Sequence, residues 1–241
     1  MSELYKTAQP AHVEWAESTP VRSINYRRLD AASTVTSANG GKLVSRIHSN
    51  DRELAEQASV IELTLMPRAG FRGVHSVDVL ANAGLPIPAR PNTAAASANG
   101  EWVLRLSQTE YWILGSPDDL GAAVAALPAT MADTPAGCYP LFCMDSHAWM
   151  MITGPYVAEV MAKLSAVDMR DKAFPLGSIA QTSIARINGI MVKQQYQGMP
   201  AISILCDVAS SDYLWTALMD AVQEFGGASV GMNVLTSAVT S

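Results

Sequence analysis

Asp145, Ser146 and His147 supply an acid, a hydroxyl nucleophile and a base at three consecutive positions. A serine hydrolase commonly carries its nucleophile in a G-x-S-x-G turn, and the sequence has no such turn. Neighbouring residues of a strand point to opposite faces, so the three side chains are not expected to converge as a triad. We interpret them as a polar turn between two apolar strands.

Two further polar groups have the residue types of a binding site. Lys193 to Gly198 (KQQYQG) resembles the K-x-C-Y-x-G-Q motif of folate-binding iron–sulfur repair proteins, but Gln195 replaces the cysteine and Met199 the final glutamine. A hairpin with a polar edge explains these residues. Arg105 and Glu110 flank a predicted hairpin and carry charges suited to a carboxylate or a pterin. We interpret that pair as a solvated hairpin end.

Metal and nucleotide motifs are missing from the sequence. No G-x-G-x-x-G follows a predicted strand, and no Walker-type loop is present. The four histidines are widely spaced, with no pair at metal-ligand spacing, and the three cysteines match no zinc pattern. They are His12, His48, His75 and His147, and Cys138, Cys143 and Cys206. The cysteines read as reduced, buried thiols, and we predict no catalytic, cofactor-binding or metal-binding residue in this chain.

Composition restricts the class of partner. The chain has 241 residues and a net charge of −6, and only 16% of its residues are charged, against about 25% in an average soluble protein. Because nucleic-acid affinity rests on neutralising phosphates, an acidic chain without a basic run is not expected to bind nucleic acid. The absence of a signal peptide and of a long apolar run predicts a cytoplasmic protein without a membrane span. The low charge and the 12 methionines favour extensive contact with other subunits.

The pattern of elements predicts an α+β fold with an internal duplication. We predict that residues 1–50 form an extended, irregular N-terminal arm, residues 51–227 the α+β domain, and residues 228–241 a flexible tail. The two repeats cover about 59–128 and 138–226, and each contains a glycine turn, at Arg72-Gly73 and at Gly154-Pro155. In the second repeat, Asn188-Gly189 predicts a two-residue hairpin turn.

The most specific pattern begins in the second repeat, within ITGPYVAEVMAKLSAVDMRDKAFPLGSIAQTSIARI. Its characteristic positions are Gly154, Pro155, Asp168, Met169, Ala173, Phe174, Pro175, Gly177, Gln181, Thr182 and Arg186. This stretch resembles the gamma subunit family of heterotetrameric sarcosine oxidase. The segments GEWVLRLSQTEYWILG and SDYLW are similar to further parts of that family, whereas Arg72 to His75 departs from its usual Gly-Pro-x-Ala.

This resemblance implies two related α+β repeats, like the folate-binding domain of glycine-cleavage aminomethyltransferases. It also implies a hetero-oligomeric flavoprotein that oxidatively demethylates an N-methyl amino acid, with tetrahydrofolate as the one-carbon acceptor. FAD, FMN, NAD, zinc and tetrahydrofolate would bind to partner subunits and none to this chain alone. We therefore expect a structural and assembly subunit of an oxidoreductase complex, with no catalysis by the isolated chain. The alternative is a stand-alone folate-binding or folate-dependent aminomethyltransferase-like protein.

Overall fold

The computed structural model describes residues 21–29, 34–38, 40–130 and 136–237. The first half contains β1 (Thr34–Ala38), β2 (Gly41–Arg46), α1 (Asp51–Ala55), β3 (Ser59–Glu62), β4 (Arg68–Gly73), α2 (Ser76–Asn82), β5 (Thr93–Ala96), β6 (Trp102–Arg105), β7 (Glu110–Leu114) and α3 (Ala122–Thr130). The second half contains β8 (Cys138–Leu141), α4 (Cys143–Ser146), β9 (His147–Thr153), α5 (Val157–Ala162), β10 (Ile179–Ile184), β11 (Ile187–Tyr196), β12 (Met199–Asp207), α6 (Ser211–Gln223) and β13 (Ala228–Ser229). Short 3-10 helices occur at Tyr26–Arg28, Val208–Ser210 and Met232–Val234. The predicted α+β fold class is confirmed.

The two large sheets repeat one strand order. The five-stranded sheet runs β5-β6-β7-β4-β8, and the six-stranded sheet runs β10-β11-β12-β9-β3-β13. One strand of each half lies in the sheet of the other half, because β3 of the first half pairs with β9 and β8 of the second half pairs with β4. The duplication is therefore present as two exchanged units, and neither half completes its sheet alone.

Glycine is required at both points where an exchanged strand enters. Gly73 ends β4 with φ +141°, and Gly154 follows β9 with φ +116°. A Cβ atom at Gly73 would collide with the carbonyl oxygen of Gly137, next to β8, and one at Gly154 with that of Gln57, shortly before β3. Arg72-Gly73 and Gly154-Pro155 thus have the same role, although their sequences differ: in each, only glycine leaves room for the neighbouring backbone.

Strand alternation divides the interior into layers. In β9, Trp149 and Met151 belong to the core shared by the two sheets, while Met150 and Ile152 face a second core under α5 and α6. A third core packs Leu80 and other residues of α2 and α3 against the five-stranded sheet. The order of layers is helices, sheet, sheet, helices, and the sheet-on-sheet core holds the two halves together.

Both ends of the domain differ from the sequence prediction. The predicted arm includes the hairpin β1–β2, and Leu43, Val44 and Ile47 are buried in the cores. The predicted tail includes β13, which pairs in parallel with β3, and buried residues follow it. They are Val230, Met232, Val234 and Leu235. The sequence periodicity does not predict that these segments are ordered and buried, because the residues that they contact are distant in sequence. Residues 1–20 of the predicted arm and 238–241 of the predicted tail lie outside the described residues.

The β10–β11 turn also differs from the prediction. The two-residue loop is Ala185-Arg186, both with positive φ, and the predicted turn residue Gly189 lies within β11. The Ala185 N–H donates to the Leu164 carbonyl at 2.7 Å, and the Tyr213 hydroxyl donates to the Ala185 carbonyl at 2.8 Å. These tertiary contacts fix the turn. Gly189 instead leaves room for the Ile184 side chain, whose Cδ1 would lie 2.6 Å from a Cβ at this position.

Candidate functional site

The Asp145-Ser146-His147 sequence lies at the end of α4 and the start of β9. Because Ser146 is helical, its Oγ lies 2.8 Å from His147 Nδ1, so the expectation that neighbours point apart is wrong for this pair. Among the described residues, no hydrogen bond joins the Asp145 carboxylate to His147. The segment therefore provides a serine–histidine contact and not an aligned triad.

The environment of His147 favours the neutral imidazole. Burial, together with the positive charge of Arg68, lowers the His147 pKa from its usual value. The ring packs edge-on against Trp112, with centroids 4.8 Å apart. In the neutral ring, an unprotonated Nδ1 can accept a hydrogen bond from the Ser146 hydroxyl.

Arg68 is a buried anchor beneath this segment. Its guanidinium donates to five carbonyl groups of the surrounding loops and of α4. They belong to Thr64, Met66, Cys143, Met144 and His147. Burial lowers the Arg68 pKa to about 10, so the group stays charged at neutral pH. Burial also raises the pKa of the nearby Glu62 carboxyl, which accepts a hydrogen bond from Ser23 Oγ at 2.6 Å.

The Lys193–Gly198 segment comprises the end of β11, which lies between β10 and β12, and the turn to β12. Gln195, Gln197 and Gly198 are exposed at this hairpin end, as predicted, whereas Lys193 and Gln194 are not. Lys193 is buried and its Nζ donates to the Met169 carbonyl at 3.1 Å. Gln194 is completely buried in a hydrogen-bonded chain that links Trp149, Ser203, Gln194 and Tyr196. Two of the polar side chains that resemble a folate motif, those of Lys193 and Gln194, thus form hydrogen bonds inside the core.

Arg105 and Glu110 do not face a common ligand. Arg105 donates to the carbonyls of Pro88 and Ala89 at 3.2 and 3.1 Å and so fixes the proline-rich loop before β5. Glu110 accepts from Arg72 at 2.9 Å and from the Trp112 indole N–H at 3.2 Å. Each charge has a structural partner, and the predicted solvated hairpin end is more ordered than expected.

The residues of the 154–186 pattern connect the two sheets at the edges β5 and β10. The Ala94 N–H donates to the Gly177 carbonyl at 2.7 Å, and Gly177 has φ +78°. Gln181 Nε2 donates to Asn92 Oδ1 and to the Leu106 carbonyl, both at 2.7 Å. Earlier in the pattern, hydrogen bonds from Arg170 lower the Asp168 pKa to about 2. The contacts of Gly177 and Gln181 thus give this sequence pattern a structural role, which is to join the two sheets.

Cysteine thiols and carboxylates do not assemble a site within the part of the chain that the structure describes. Cys138, Cys143 and Cys206 are free and buried, and burial raises the pKa of Cys143 and that of Cys206, the latter to about 11. No group of three or more potential metal ligands occurs among residues 21–29, 34–38, 40–130 and 136–237. None of the helices in these ranges reaches the roughly 20 apolar residues of a membrane span, and α6 has 13 residues.

A different surface stands out at β8, the outer strand of the five-stranded sheet. Val74, Tyr139 and Phe142 have exposed fractions of 73%, 64% and 80%. Val74 follows β4, Tyr139 lies in β8 opposite Arg72, and Phe142 follows β8, so the three line one sheet margin. We call these residues the β8 margin. Exposed apolar side chains at a sheet margin are typical of partner-binding surfaces.

The comparisons with known proteins agree with this architecture. The family model described as the GCVT N-terminal domain matches residues 98–238. Among curated proteins, no sequence matches the chain. A chain of the heterotetrameric sarcosine oxidase from Corynebacterium sp. U-96 is 20% identical and superposes with a TM-score of 0.61, over 86% of this chain and 97% of that chain.

A second solved structure has the same fold within a longer protein. The glycine cleavage system aminomethyltransferase T from Bartonella henselae is 14% identical, with a TM-score of 0.61 over 85% of this chain. The match spans 57% of the aminomethyltransferase chain. At these identities both similarities establish the fold. Because the family model covers more than half of the sequence, the chain belongs to the GCVT N-terminal domain family.

Proposed function

We propose that this chain is a non-catalytic structural and assembly subunit of a sarcosine oxidase-type flavoprotein, and that it corresponds to the gamma subunit. The complex would oxidatively demethylate an N-methyl amino acid and pass the one-carbon unit to tetrahydrofolate. The observation that carries the assembly role is the β8 margin, where three large apolar side chains are exposed on the edge strand β8 and at its two ends. Burying them against a partner removes apolar surface from water, which is the main driving force of stable association.

The extent of the structural similarity supports the subunit role. The superposition covers 97% of the sarcosine oxidase chain and 57% of the aminomethyltransferase chain. The 154–186 pattern adds to this, because its residues connect β5 to β10 through Gly177 and Gln181. FAD, FMN, NAD, zinc and tetrahydrofolate would be held by the partner subunits.

Pro140 limits how a partner could bind to the β8 margin. It lies in the middle of β8 and has no N–H, so the strand cannot offer a complete ladder to a neighbour. The missing N–H disfavours the addition of a strand from a second copy of this chain to the edge of the sheet. We therefore expect the partner to bind mainly through Val74, Tyr139 and Phe142, with their side chains inserted into an apolar surface of another subunit.

Affinity purification of the tagged full-length chain from its native cells tests this proposal. The wild-type chain should copurify with flavin-containing subunits, visible as flavin absorbance in a complex sized by chromatography with light scattering. Phe142→Asp should release the flavoprotein, because a charge would be desolvated in an apolar interface. Leu176→Asp is the matched control, since Leu176 is 57% exposed and lies beyond the β8 margin. A wild-type chain recovered without flavoprotein partners would contradict the proposal.

The second candidate, a stand-alone folate-binding protein, is favoured by the match to the GCVT N-terminal domain. Titration of the isolated chain with tetrahydrofolate separates the two. The subunit proposal expects no saturable binding, since it assigns tetrahydrofolate to a partner. A one-to-one complex with the isolated chain would favour the folate-binding alternative.

A further inference from the structure

Residues 21–29 form a short segment that lies across the domain before β1, and we call this segment the N-terminal strap. It contains the 3-10 turn Tyr26–Arg28 and is part of neither large sheet. Three of its side chains are buried, namely those of Ser23, Asn25 and Leu29, and Leu29 packs in the core under α5 and α6. The strap is therefore held against the domain by a small number of side chains, whose partners can be named.

Two side chains of the strap bind the start of α6. Asn25 Nδ2 donates to Ser211 Oγ at 2.7 Å in the interior, and Arg28 Nε donates to Asp212 Oδ1 at 2.7 Å on the surface. Asn25 Oδ1, in contrast, is buried and accepts no hydrogen bond within the part of the chain that the structure describes. A buried acceptor without a donor costs free energy, which water would recover if the strap opened. The closed position is thus favoured by some contacts and opposed by others.

A third contact joins the strap to the end of β3. Ser23 Oγ donates to Glu62 Oε1 at 2.6 Å, and the Thr64 N–H donates to the same oxygen at 3.1 Å. Because Ser23 is 1% exposed and Glu62 is 4% exposed, the strap helps to separate this carboxyl from water. Arg68 supplies a positive charge near Glu62, but its guanidinium donates to backbone carbonyl groups and not to the carboxyl. An ionised Glu62 would therefore lie in a dry environment without a hydrogen-bonded ion pair.

The proton affinity of Glu62 is consequently linked to the position of the strap. In the closed position, burial raises the pKa of the Glu62 carboxyl, against the hydrogen bonds from Ser23 and Thr64. If the strap moves away, water reaches the carboxyl and its pKa falls towards the ordinary value. The closed strap thus retains a proton that the open strap releases. Its stabilisation is complete below the ordinary carboxyl pKa and is lost as the pH rises through the raised one.

We propose that the N-terminal strap is a pH-sensitive element, which is closed while Glu62 is neutral and opens when this carboxyl ionises. Opening uncovers the end of β3 and the start of α6 and leaves the two large sheets intact, since the strap belongs to neither. This inference is independent of the assembly role, because the strap includes none of the residues of the β8 margin.

Hydrogen–deuterium exchange of the full-length chain, measured by mass spectrometry, tests the proposal. The N–H groups of Asn25, Tyr26 and Arg28 form hydrogen bonds within the strap, and their exchange reports its opening. Because intrinsic exchange also depends on pH, the wild-type rate is divided by the rate of the same segment in Glu62→Gln, where the side chain stays neutral. We expect this ratio to increase by up to about tenfold per pH unit above the ordinary carboxyl pKa and then to level off.

Two further variants make the test specific. Glu53→Gln removes an exposed carboxylate and should keep the pH dependence of the wild type. Ser23→Ala removes the hydroxyl that donates to Glu62 and should speed exchange of the strap roughly two- to tenfold below the ordinary carboxyl pKa, as expected for one hydrogen bond. This variant decides the question if Glu62→Gln does not fold. A rate ratio that does not change with pH, exchange of the strap as slow as that of β11, or unchanged exchange in Ser23→Ala would overturn the proposal.

Discussion

The Asp51 carboxylate accepts a hydrogen bond of 3.0 Å from the N–H of Gly231, 180 residues away. The same carboxylate accepts from the N–H groups of Ile47 and His48, at 2.8 and 2.7 Å. One buried side chain thus joins the end of the β1–β2 region, the start of α1 and the C-terminal segment. Both termini of the domain are held by this contact.

Asp51→Ala is expected to lower the free energy of unfolding by about 2–4 kcal/mol. The substitution removes the acceptor of three N–H groups, and two of these hydrogen bonds are buried. Hydrogen bonds to charged groups contribute about 1.5–3 kcal/mol. Chemical denaturation measures the change. Asp212→Ala is the control, because its ion pair with Arg28 is exposed and should contribute at most about 1 kcal/mol. Equal losses in the two variants would contradict the anchoring role of Asp51.

The sequence predicts those elements of the fold whose pattern lies within a few neighbouring residues, and it does not predict those that depend on distant residues. Strands such as β6, β7 and β9 appear in the sequence as short apolar runs, and α6 has a clear apolar face. The exchange of β3 and β8 between the halves is invisible in the sequence, because strand pairing depends on distant backbone. The same is true of the C-terminal segment, where Met232 becomes core only by meeting the other end of the chain.

The candidate sites show the same limit. Lys193 and Gln194 look exposed in a sequence because they are polar, yet a hydrogen-bonded network compensates their burial. Ser146 meets His147 because α4 interrupts the predicted strand. The β8 margin was also missed, since its members are separated in sequence between Val74 and Phe142.

Gly177→Ala should be markedly more destabilising than Gly198→Ala. Both glycines have φ +78°, so both substitutions carry the same left-handed backbone strain. A Cβ atom at Gly177 would also lie 2.6 Å from the Ala94 carbonyl oxygen, whereas nothing lies within 4 Å at Gly198. We expect a loss of about 1–2 kcal/mol for Gly198→Ala and at least about 1 kcal/mol more for Gly177→Ala. Thermal and chemical denaturation measure both, and equal losses would show that the β5–β10 contact adds nothing.

Ser203→Ala should destabilise the core through its neighbours. Ser203 Oγ accepts from the Trp149 indole N–H at 2.8 Å and donates to Gln194 Oε1, and both partners are completely buried. Leaving them without a partner is expected to lower the free energy of unfolding by about 1–3 kcal/mol. Ser165→Ala is the control, because Ser165 Oγ accepts one long bond of 3.3 Å from the Val167 N–H in a partly buried turn. A Ser203 variant as stable as this control would mean that water replaces the hydroxyl.

Glu62→Gln should stabilise the protein increasingly as the pH rises. Burial raises the Glu62 pKa in the folded state, against hydrogen bonds from Ser23 and Thr64 and the charge of Arg68, so the folded protein holds this proton more tightly than the unfolded chain. The free energy of unfolding of the wild type therefore falls as the pH rises from the ordinary carboxyl pKa through the raised one. Glutamine stays neutral and can still accept from Ser23 Oγ and the Thr64 N–H. Denaturation of both proteins across this window should show their difference growing by up to about 1.4 kcal/mol per pH unit, and then levelling off. A difference that is constant or shrinks with pH would mean that Glu62 ionises without a penalty, through water that reaches the carboxylate.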